Sequence, residues 1–197
     1  MGLGNPGERY ARTRHNVAWA VLDELAARHA AGEAPGHATF RARRTLVAGH
    51  TVALLQPLTF MNLSGEALAA WRDRYGREEQ LLVVSDDVYL PLGTLRIRVS
   101  GSCGGHRGLA SIEAAVGSRD YARLRIGVGA AEDSAGLREH VLEEFAPDES
   151  PALGSTVRRA ADAVQHWVAF GALGAMNEFN RRGNLSSGQV RQEESET

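Results

Sequence analysis

His15 and a pair of aspartates are the residues whose types and positions could support acid–base chemistry. The positive end of a helix disfavours imidazolium, so a histidine at the predicted helix start stays neutral, as a general base must. Asp86 and Asp87 follow the apolar residues 81–84, and open α/β sheets place their sites at this end of a strand. A buried aspartate would orient the ring of His15, whereas the other would only open a turn. Without such a partner, His15 would be an ordinary surface or core histidine.

Residues 2–7, Gly-Leu-Gly-Asn-Pro-Gly, formally match the G-x-G-x-x-G dinucleotide fingerprint. That fingerprint requires a strand before the first glycine and a helix that opens on the last. Here only Met1 precedes the motif, and Pro6 interrupts the loop. We therefore expect a tight turn that presents the side-chain amide of Asn5 at the end of a first strand, or a plain structural turn.

A second glycine-rich segment, residues 100–109, lies between a predicted strand and a predicted helix. Backbone N–H groups of such a loop converge on anions, and Arg96 and Arg98 lead into it. Cys103 and His106 also suggest a thiol nucleophile, but a spacing of three residues requires a special loop geometry for contact. A flexible loop without a ligand is the third interpretation.

Arginine supplies all 22 basic residues, because the chain contains no lysine. This excludes a Walker-type phosphate loop, a pyridoxal Schiff base and a lysine general base, each of which needs a primary amine. The guanidinium group stays charged and holds phosphate or carboxylate, so proton transfer falls to His, Asp or Glu. Residues 1–130 contain 16 arginines and 12 acids, a balance of +4, and residues 131–197 contain 6 and 12, a balance of −6. The first part is where a polyanion would bind, unless the imbalance is only a solvated face.

The 197 residues, 43% of them hydrophobic, are enough for one well-buried core and predict a single domain. No apolar run approaches the roughly 20 residues of a membrane span, and no signal segment follows Met1, so we expect a cytoplasmic protein that does not bind a membrane. The single cysteine, Cys103, excludes an intramolecular disulfide and a cysteine-based metal cluster.

The periodicity of apolar residues positions these motifs on strands and helices. Strands alternate with helices, which predicts an α/β fold with a mixed, mostly parallel central sheet sandwiched by helices. A cap at Asn62 or Ser64 is expected before the second helix. The predicted strands are residues 40–49, 51–55, 81–85, 94–99 and 123–128. The predicted helices surround residues 17–25 and 68–71, begin near His106, and cover residues 137–144 and 150–170.

Several of these motifs, in this order, resemble the bacterial peptidyl-tRNA hydrolase family. The resemblance rests on residues 2–7 with Tyr10, 13–16, 57–65, 85–87, 104–109 and 123–127, and it continues to the closing residues 175–180. It implies a monomeric α/β domain, over residues 1–182. Residues 183–197 are polar and lack aromatic side chains, which predicts a disordered tail. The implied activity is hydrolysis of the ester between a peptide and the 3′ end of tRNA, without metal or other cofactor.

The resemblance also implies roles for individual residues. His15 matches the base that activates water, Asp86 the carboxylate that holds it, and Asn5 the residue that separates N-blocked peptidyl-tRNA from free aminoacyl-tRNA. Arg98 and Arg125 match a clamp for the 5′-phosphate of the acceptor stem. The residues expected to bind the peptide or the tRNA are Tyr10, Phe60, Met61, Asn62, Arg98, His106, Arg107 and Arg125.

This sequence differs from the family pattern in three places. Arg107 replaces the usual Asn after Gly-Gly-His, which removes a hydrogen-bond acceptor and favours phosphate contact. Ala130 and Ala131 replace a common Arg-Pro pair, which removes one cation. The first strand is also short, so either the edge of the sheet is shorter than in the family or the true start codon lies upstream. Two other functions are compatible with parts of this sequence: an RNA-binding protein of the same fold without hydrolysis, and a dinucleotide-dependent oxidoreductase, which would bind NAD(H).

Overall fold

Strands and helices alternate along the chain in the computed structural model, which describes residues 1–129 and 136–180. Ala130, Ala131 and the polar tail at residues 183–197 lie outside the described residues. The strands are β1 Gly32–Glu33, β2 Phe40–Val47, β3 His50–Pro57, β4 Leu82–Asp87, β5 Leu95–Arg98 and β6 Ala122–Gly127. The helices are α1 Val17–Arg28, α2 Ser64–Tyr75, α3 Arg107–Val116, α4 Leu137–Leu142 and α5 Ser150–Phe179.

The strands form two three-stranded sheets, in the orders β1-β2-β3 and β4-β6-β5. Residues 1–3 connect them: the Gly2 N–H donates to the Leu55 carbonyl of β3 at 3.0 Å, and the Leu3 N–H donates to the Val84 carbonyl of β4 at 2.9 Å. The short predicted first strand is therefore a bridge between the two sheets, with Gly2 pairing parallel to Val84.

The predicted mixed sheet is present, but the prediction that it is mostly parallel is wrong. Only β4 and β6 form a parallel pair among the named strands of the described chain, whereas β1–β2, β2–β3 and β5–β6 are antiparallel. The physical reason in the first sheet is a two-residue turn. Ala48 and Gly49 both have positive φ angles, 50° and 82°, and such a turn can only join antiparallel strands.

Helices cover both faces of β4, as predicted, whereas alternate residues of β5 are exposed. β4 is buried along its whole length, and its side chains alternate between two apolar clusters: Leu82 and Val84 pack with α1 and α5, and Val83 packs with α2 and α3. This alternation explains the uninterrupted apolar run in the sequence, because both faces of the strand are covered.

Helix ends differ from the predictions in three places. Neither Asn62 nor Ser64 caps α2: a single 3-10 turn, Met61–Leu63, leads into the helix, and the Ser64 hydroxyl donates to the Met61 carbonyl. α4 ends at Leu142, two residues early, and α5 continues beyond residue 170 to Phe179 across a non-helical Gly171. Among the described residues, no helix is long and apolar enough to cross a membrane.

Candidate active site

One cavity of about 420 Å³ lies where the sequence motifs meet. Its walls come from the turn after residues 2–7, the 3-10 turn Arg14–Asn16, the end of β4, the start of α3, and α4. It is within the size range of small-molecule sites. Among the predicted site residues, those that line it are Asn5, Tyr10, His15, Phe60, Met61, Asn62, Asp86, His106, Arg107 and Arg125.

His15 and Asp86 form a hydrogen-bonded pair at this cavity. Nδ1 of His15 lies 2.8 Å from Oδ1 of Asp86, whose side chain is 2% exposed. Because a carboxylate only accepts, the proton lies on Nδ1 and the lone pair of the neutral ring is on Nε2. The side chain of His15 is 14% exposed and lines the cavity. The pair therefore offers a base whose tautomer is set by Asp86.

His106 contacts the same Asp86 oxygen, but it plays a different part. Its Nε2 lies 3.0 Å from Oδ1 of Asp86, and its Nδ1 accepts from the N–H groups of Gly108 and Leu109 at 3.1 and 3.2 Å. These two backbone donors require a lone pair on Nδ1, so the proton is on Nε2. His106 is thus the N-cap of α3 and a donor to Asp86, with no lone pair left to accept a proton from substrate.

The charge of Asp86 is maintained by its two imidazole partners. Burial by itself raises the pKa of this carboxyl, but the electrostatic attraction and the hydrogen bonds of His15 and His106 outweigh burial and hold the pKa well below its usual range. Asp86 is consequently ionised over the physiological pH range. An ionised Asp86 stabilises the imidazolium that forms when His15 takes a proton.

Asn5 has one fixed and one available polar group. Its side-chain oxygen accepts from the Met61 N–H at 2.9 Å, which identifies the oxygen and leaves the NH2 group as a donor at the cavity. Its backbone is held by Asn16, which accepts from the Asn5 N–H at 2.8 Å and donates to the Asn5 carbonyl at 3.0 Å. Asn16 directly follows His15, so the amide donor and the base are tied together.

Three potential metal ligands meet here, because one ligand atom each of His15, Asp86 and His106 lies within 4.8 Å of the others. Metal binding would require lone pairs on Nδ1 of His15 and Nε2 of His106. The backbone donors at Nδ1 of His106 instead leave the proton on Nε2. The donor set therefore fits a hydrogen-bonded triad better than a metal centre.

Asp87 carries out the structural task that one of the two aspartates was expected to have. Its Oδ1 accepts from the Tyr89 N–H at 2.9 Å and so closes the turn after β4. Its Oδ2 lies 3.2 Å from Nη1 of Arg125, and Nη2 of Arg125 donates to the Cys103 carbonyl at 2.8 Å. Arg125 is thus held under the glycine-rich loop, where a Cβ on Gly104 would come within 2.8 Å of its guanidinium.

Arg98 stands on an arginine-rich face of the second sheet. In the antiparallel pair β5–β6, Arg96 is opposite Arg125 and Arg98 is opposite Arg123, so all four side chains share one face. Arg123 is buried and donates to loop carbonyls, among them Gly101 at 2.6 Å. Arg96 and Arg98 are exposed and form no ion pair with any described residue, which leaves their guanidinium groups available to an anion.

The remaining predicted residues form an apolar and amide wall. Phe60 is 51% exposed, Asn62 is exposed, and Tyr10 is partly buried with the Arg9 guanidinium 4.5 Å from its ring centroid. Met61 is buried, and its sulfur occupies the space that a Cβ on Gly108 would fill. This wall can receive an uncharged chain, and the exposed amide of Asn62 can hydrogen-bond it.

Sequence reasoning did not single out three residues that contribute to the site. Asn16 positions Asn5, as described above. Arg14 donates to the Val128 carbonyl at 2.9 Å and forms a bidentate pair with Glu149, which anchors the turn that carries His15. Arg138, on α4, lines the cavity. The first two adjoin His15 in the motif 13–16, a signal that was available, whereas Arg138 belongs to no motif.

The thiol nucleophile interpretation of Cys103 finds no support in this geometry. Both ring nitrogens of His106 are engaged, by Asp86 and by backbone N–H groups. The dinucleotide interpretation also lacks its structural context, because the last glycine of residues 2–7 precedes a single 3-10 turn, Glu8–Tyr10, and α1 begins only at Val17.

The fold and the site together define a class: a single α/β domain in which a carboxylate-oriented histidine and an amide donor face an open, arginine-rimmed cavity. Comparison with known proteins narrows this class. The family model for peptidyl-tRNA hydrolase matches residues 1–187. The chain belongs to the peptidyl-tRNA hydrolase family.

Individual members of this family are similar to nearly the whole chain. The peptidyl-tRNA hydrolase of Chloroflexus aggregans is 42% identical over 182 residues, which cover 91% of this chain and 97% of that protein. The one of Rubrobacter xylanophilus is 44% identical over 187 residues, covering 92% and 99%. The crystal structure of peptidyl-tRNA hydrolase from Acinetobacter baumannii has a TM-score of 0.83 at 31% identity and covers 91% of this chain and 92% of that one.

Proposed function

We propose that the protein hydrolyses the ester between a peptide, or an N-blocked amino acid, and the 3′ end of tRNA, and so recycles peptidyl-tRNA released from ribosomes. The observation that carries the proposal is the pair formed by His15 and Asp86 at 2.8 Å, with Nε2 of His15 as the basic nitrogen at a cavity shared with the Asn5 amide. An ester needs no further activation than a base, a water molecule and donors to its oxygen.

The proposed reaction has two proton transfers through His15. Nε2 takes a proton from a water molecule as its oxygen attacks the ester carbonyl, and the resulting imidazolium is stabilised by ionised Asp86. The tetrahedral intermediate then releases the terminal ribose, whose oxygen receives that proton from Nε2. The products are a peptide carboxylic acid and tRNA with a free hydroxyl. His15 returns to its starting tautomer, with its proton still on Nδ1.

Asn5 gives the proposed enzyme its preference for N-blocked substrates. The NH2 group of Asn5 is a donor, so it pairs with the carbonyl of an acyl group on the substrate nitrogen. A free aminoacyl-tRNA presents an ammonium group instead, which also donates and cannot pair. A mismatch between two donors in a buried site costs more than a missing hydrogen bond, and this supports discrimination.

The arginine-rich face of β5 and β6 is the proposed site for the acceptor stem. Arg98 is exposed and free of ion pairs within the described chain, so it can contact the 5′-phosphate directly. Arg125 is held by Asp87 and the Cys103 carbonyl, so it contributes positive charge and a remaining donor edge. We further propose that the protein acts as a monomer in the cytoplasm, on peptidyl-tRNA as its partner.

Release of the acyl group from N-acetyl-aminoacyl-tRNA tests the proposed activity. Wild type should turn over, and His15→Ala should lose at least about a hundredfold in kcat, the usual contribution of a general base. His50→Ala, at an exposed histidine, is the matched control and should keep wild-type rates. Tight tRNA binding without turnover by wild type would instead identify an RNA-binding protein of the same fold.

A second experiment tests the acceptor-stem contacts. Arg98→Ala should raise KM more for tRNA with a 5′-phosphate than for dephosphorylated tRNA, because only the former offers the anion. Arg125→Ala should show the same preference with a smaller ratio, since Asp87 already neutralises part of its charge. Equal effects on the two substrates would remove the 5′-phosphate from the proposal and leave only general attraction to RNA.

A further inference from the structure

The cavity contains two guanidinium groups that the proposed mechanism does not use. Its charged lining residues are Asp86, Asp87, Arg107, Arg125 and Arg138. Asp86 is engaged by two imidazoles, and Asp87 is paired with Arg125. Arg107 and Arg138 are both exposed and have no ion pair or hydrogen bond to any residue in the described part of the chain. The cavity therefore presents two unneutralised positive charges.

Neither charge has a structural task that would explain its position. Arg107 is the first residue of α3, where the His106 ring already accepts from the backbone N–H groups. A cation at this end of a helix opposes the helix dipole and is unfavourable there. Arg138 projects from the short α4, which lies against the turn that carries His15. Both side chains are thus better explained by a ligand than by the fold.

The chemistry of the proposed substrate identifies the anion, and this step rests on the proposed function. The ester is attached to the terminal ribose, and His15 must face that ester. The nearest fixed negative charges of the substrate are then the phosphodiesters that precede the terminal nucleotide. A peptide brings a negative charge only when it contains an acidic residue. The paired N–H donors of the planar guanidinium group match the geometry of phosphate oxygens.

We propose that Arg107 and Arg138 hold the phosphodiesters of the last nucleotides of the single-stranded 3′ end, one from the start of α3 and one from α4. These contacts differ from those of the arginine-rich face of β5 and β6, which serves the acceptor stem and shares only Arg125 with the cavity. They position the terminal ribose so that its ester lies at Nε2 of His15. Arg138 is then a substrate-binding residue, and the anion that Arg107 binds is a phosphodiester of the 3′ end.

Two minimal substrates separate this contact from the rest of the site. The N-acetyl-aminoacyl ester of adenosine carries no phosphodiester, whereas the same ester of the trinucleotide CCA carries two. Arg107→Gln and Arg138→Gln should each lower kcat/KM for the trinucleotide by about tenfold, the value of one charge-assisted hydrogen bond. The loss on the adenosine ester should be no more than about twofold. Arg77→Gln, the same charge change at an exposed residue outside this cavity, is the control and should alter neither value.

The salt dependence of KM gives an independent measure of the number of phosphate contacts. For single strands, log KM should change with log salt by about 0.7 per phosphate contact, so the double variant should lose about 1.4 from the slope measured with the trinucleotide. Arg107→Lys should keep the slope while losing part of the affinity, because lysine retains the charge without the fork.

Other results would overturn the inference. Equal losses on both substrates would place the two arginines at the ester or the peptide, and losses limited to acidic acyl groups would identify a peptide carboxylate as the anion. If wild type hydrolyses neither minimal substrate, turnover of N-acetyl-aminoacyl-tRNA still decides the proposed function, and binding of free CCA tests the contact. Unchanged affinity of Arg107→Gln/Arg138→Gln for CCA would then refute it.

Discussion

Asn5 and Asn16 exchange two hydrogen bonds, one from the Asn5 N–H to the Asn16 side-chain oxygen at 2.8 Å and one from the Asn16 NH2 group to the Asn5 carbonyl at 3.0 Å. Both residues are buried. Since Asn16 follows His15 directly, this pair connects the amide donor of the site to its base. The turn that carries His15 is thus held by side chains on both sides of the ring, Asn16 towards Asn5 and Arg14 towards Glu149.

Loss of the Asn16 side chain should destabilise the protein and disorder the Asn5 donor. Asn16→Ala leaves the Asn5 N–H and carbonyl unpaired in a buried position, which should lower the free energy of unfolding by about 1–3 kcal/mol. Urea denaturation measures this change. Asn62→Ala, at an exposed asparagine of the same cavity, should change stability by less than about 0.5 kcal/mol. Similar values for the two variants would mean that the exchange between Asn5 and Asn16 contributes little.

His106 should exist as the Nε2–H tautomer and should not act as the base. Ring 15N NMR should show an unprotonated Nδ1, because two backbone N–H groups donate to it. His106→Ala should cost about 1 kcal/mol of stability through the lost helix cap, and it should lower kcat while preserving the shape of the acid limb of the pH–rate profile. Disappearance of that limb in His106→Ala, or a protonated Nδ1, would assign the proton transfer to His106 instead.

Asp86 should make the free energy of unfolding decrease as the pH falls. Its pKa in the folded protein lies below the ordinary value of 3.8, so the unfolded state binds more protons as the pH falls past that value, and the free energy of unfolding decreases. The contribution is fully present above about pH 5 and is lost as the pH falls through the folded-state pKa.

Urea unfolding of wild type and Asp86→Asn over this pH range measures the contribution of Asp86. The difference in free energy of unfolding between the two proteins should be constant at neutral pH and should shrink under acid conditions. A difference that grows on acidification is incompatible with a lowered pKa of Asp86.

Arg14 and Glu149 should be strongly coupled in stability. The Arg14 side chain is 9% exposed, and its hydrogen bonds hold the pKa of Glu149 below its ordinary value. Removal of Glu149 leaves a buried guanidinium with the Val128 carbonyl and the Phe145 ring but no counter-charge, so Glu149→Ala should cost several kcal/mol, on the order of 3. A double-mutant cycle with Arg14→Met should give a large coupling energy.

The exposed pair formed by Arg41 and Glu33 is the matched comparison for that cycle. Both side chains are more than half exposed, so solvent screens the pair and the coupling energy should be far smaller than that of Arg14 and Glu149. Equal coupling energies in the two cycles would show that burial of Arg14 does not strengthen its pairing. Activity should fall for both Arg14→Met and Glu149→Ala, because their pair anchors the turn of His15, and it should stay unchanged for the variants of Arg41 and Glu33.

Local patterns in the sequence determined the identity of most elements and of the central site residues. Apolar periodicity predicted β4 and α1, and the position of Asp86 at the end of β4 followed directly. His15 was expected in the first turn of α1, but it lies in the 3-10 turn Arg14–Asn16, and α1 begins only at Val17. The choice between Asp86 and Asp87 did not follow, because both come after the same apolar run. Successive residues of a strand point to opposite faces, and only the packing of the strand shows which face meets His15.

Tertiary structure alone decided the relationships that join distant segments. His15 and Asp86 are 71 residues apart, and the tautomer of His106 depends on backbone donors at the start of α3 as well as on Asp86. The pairing of Arg125 with Asp87 and the position of Arg138 at the cavity have no local signature. Strand direction was likewise decided by a turn and by packing. Composition and periodicity report on neighbours along the chain, whereas the site consists of neighbours in space.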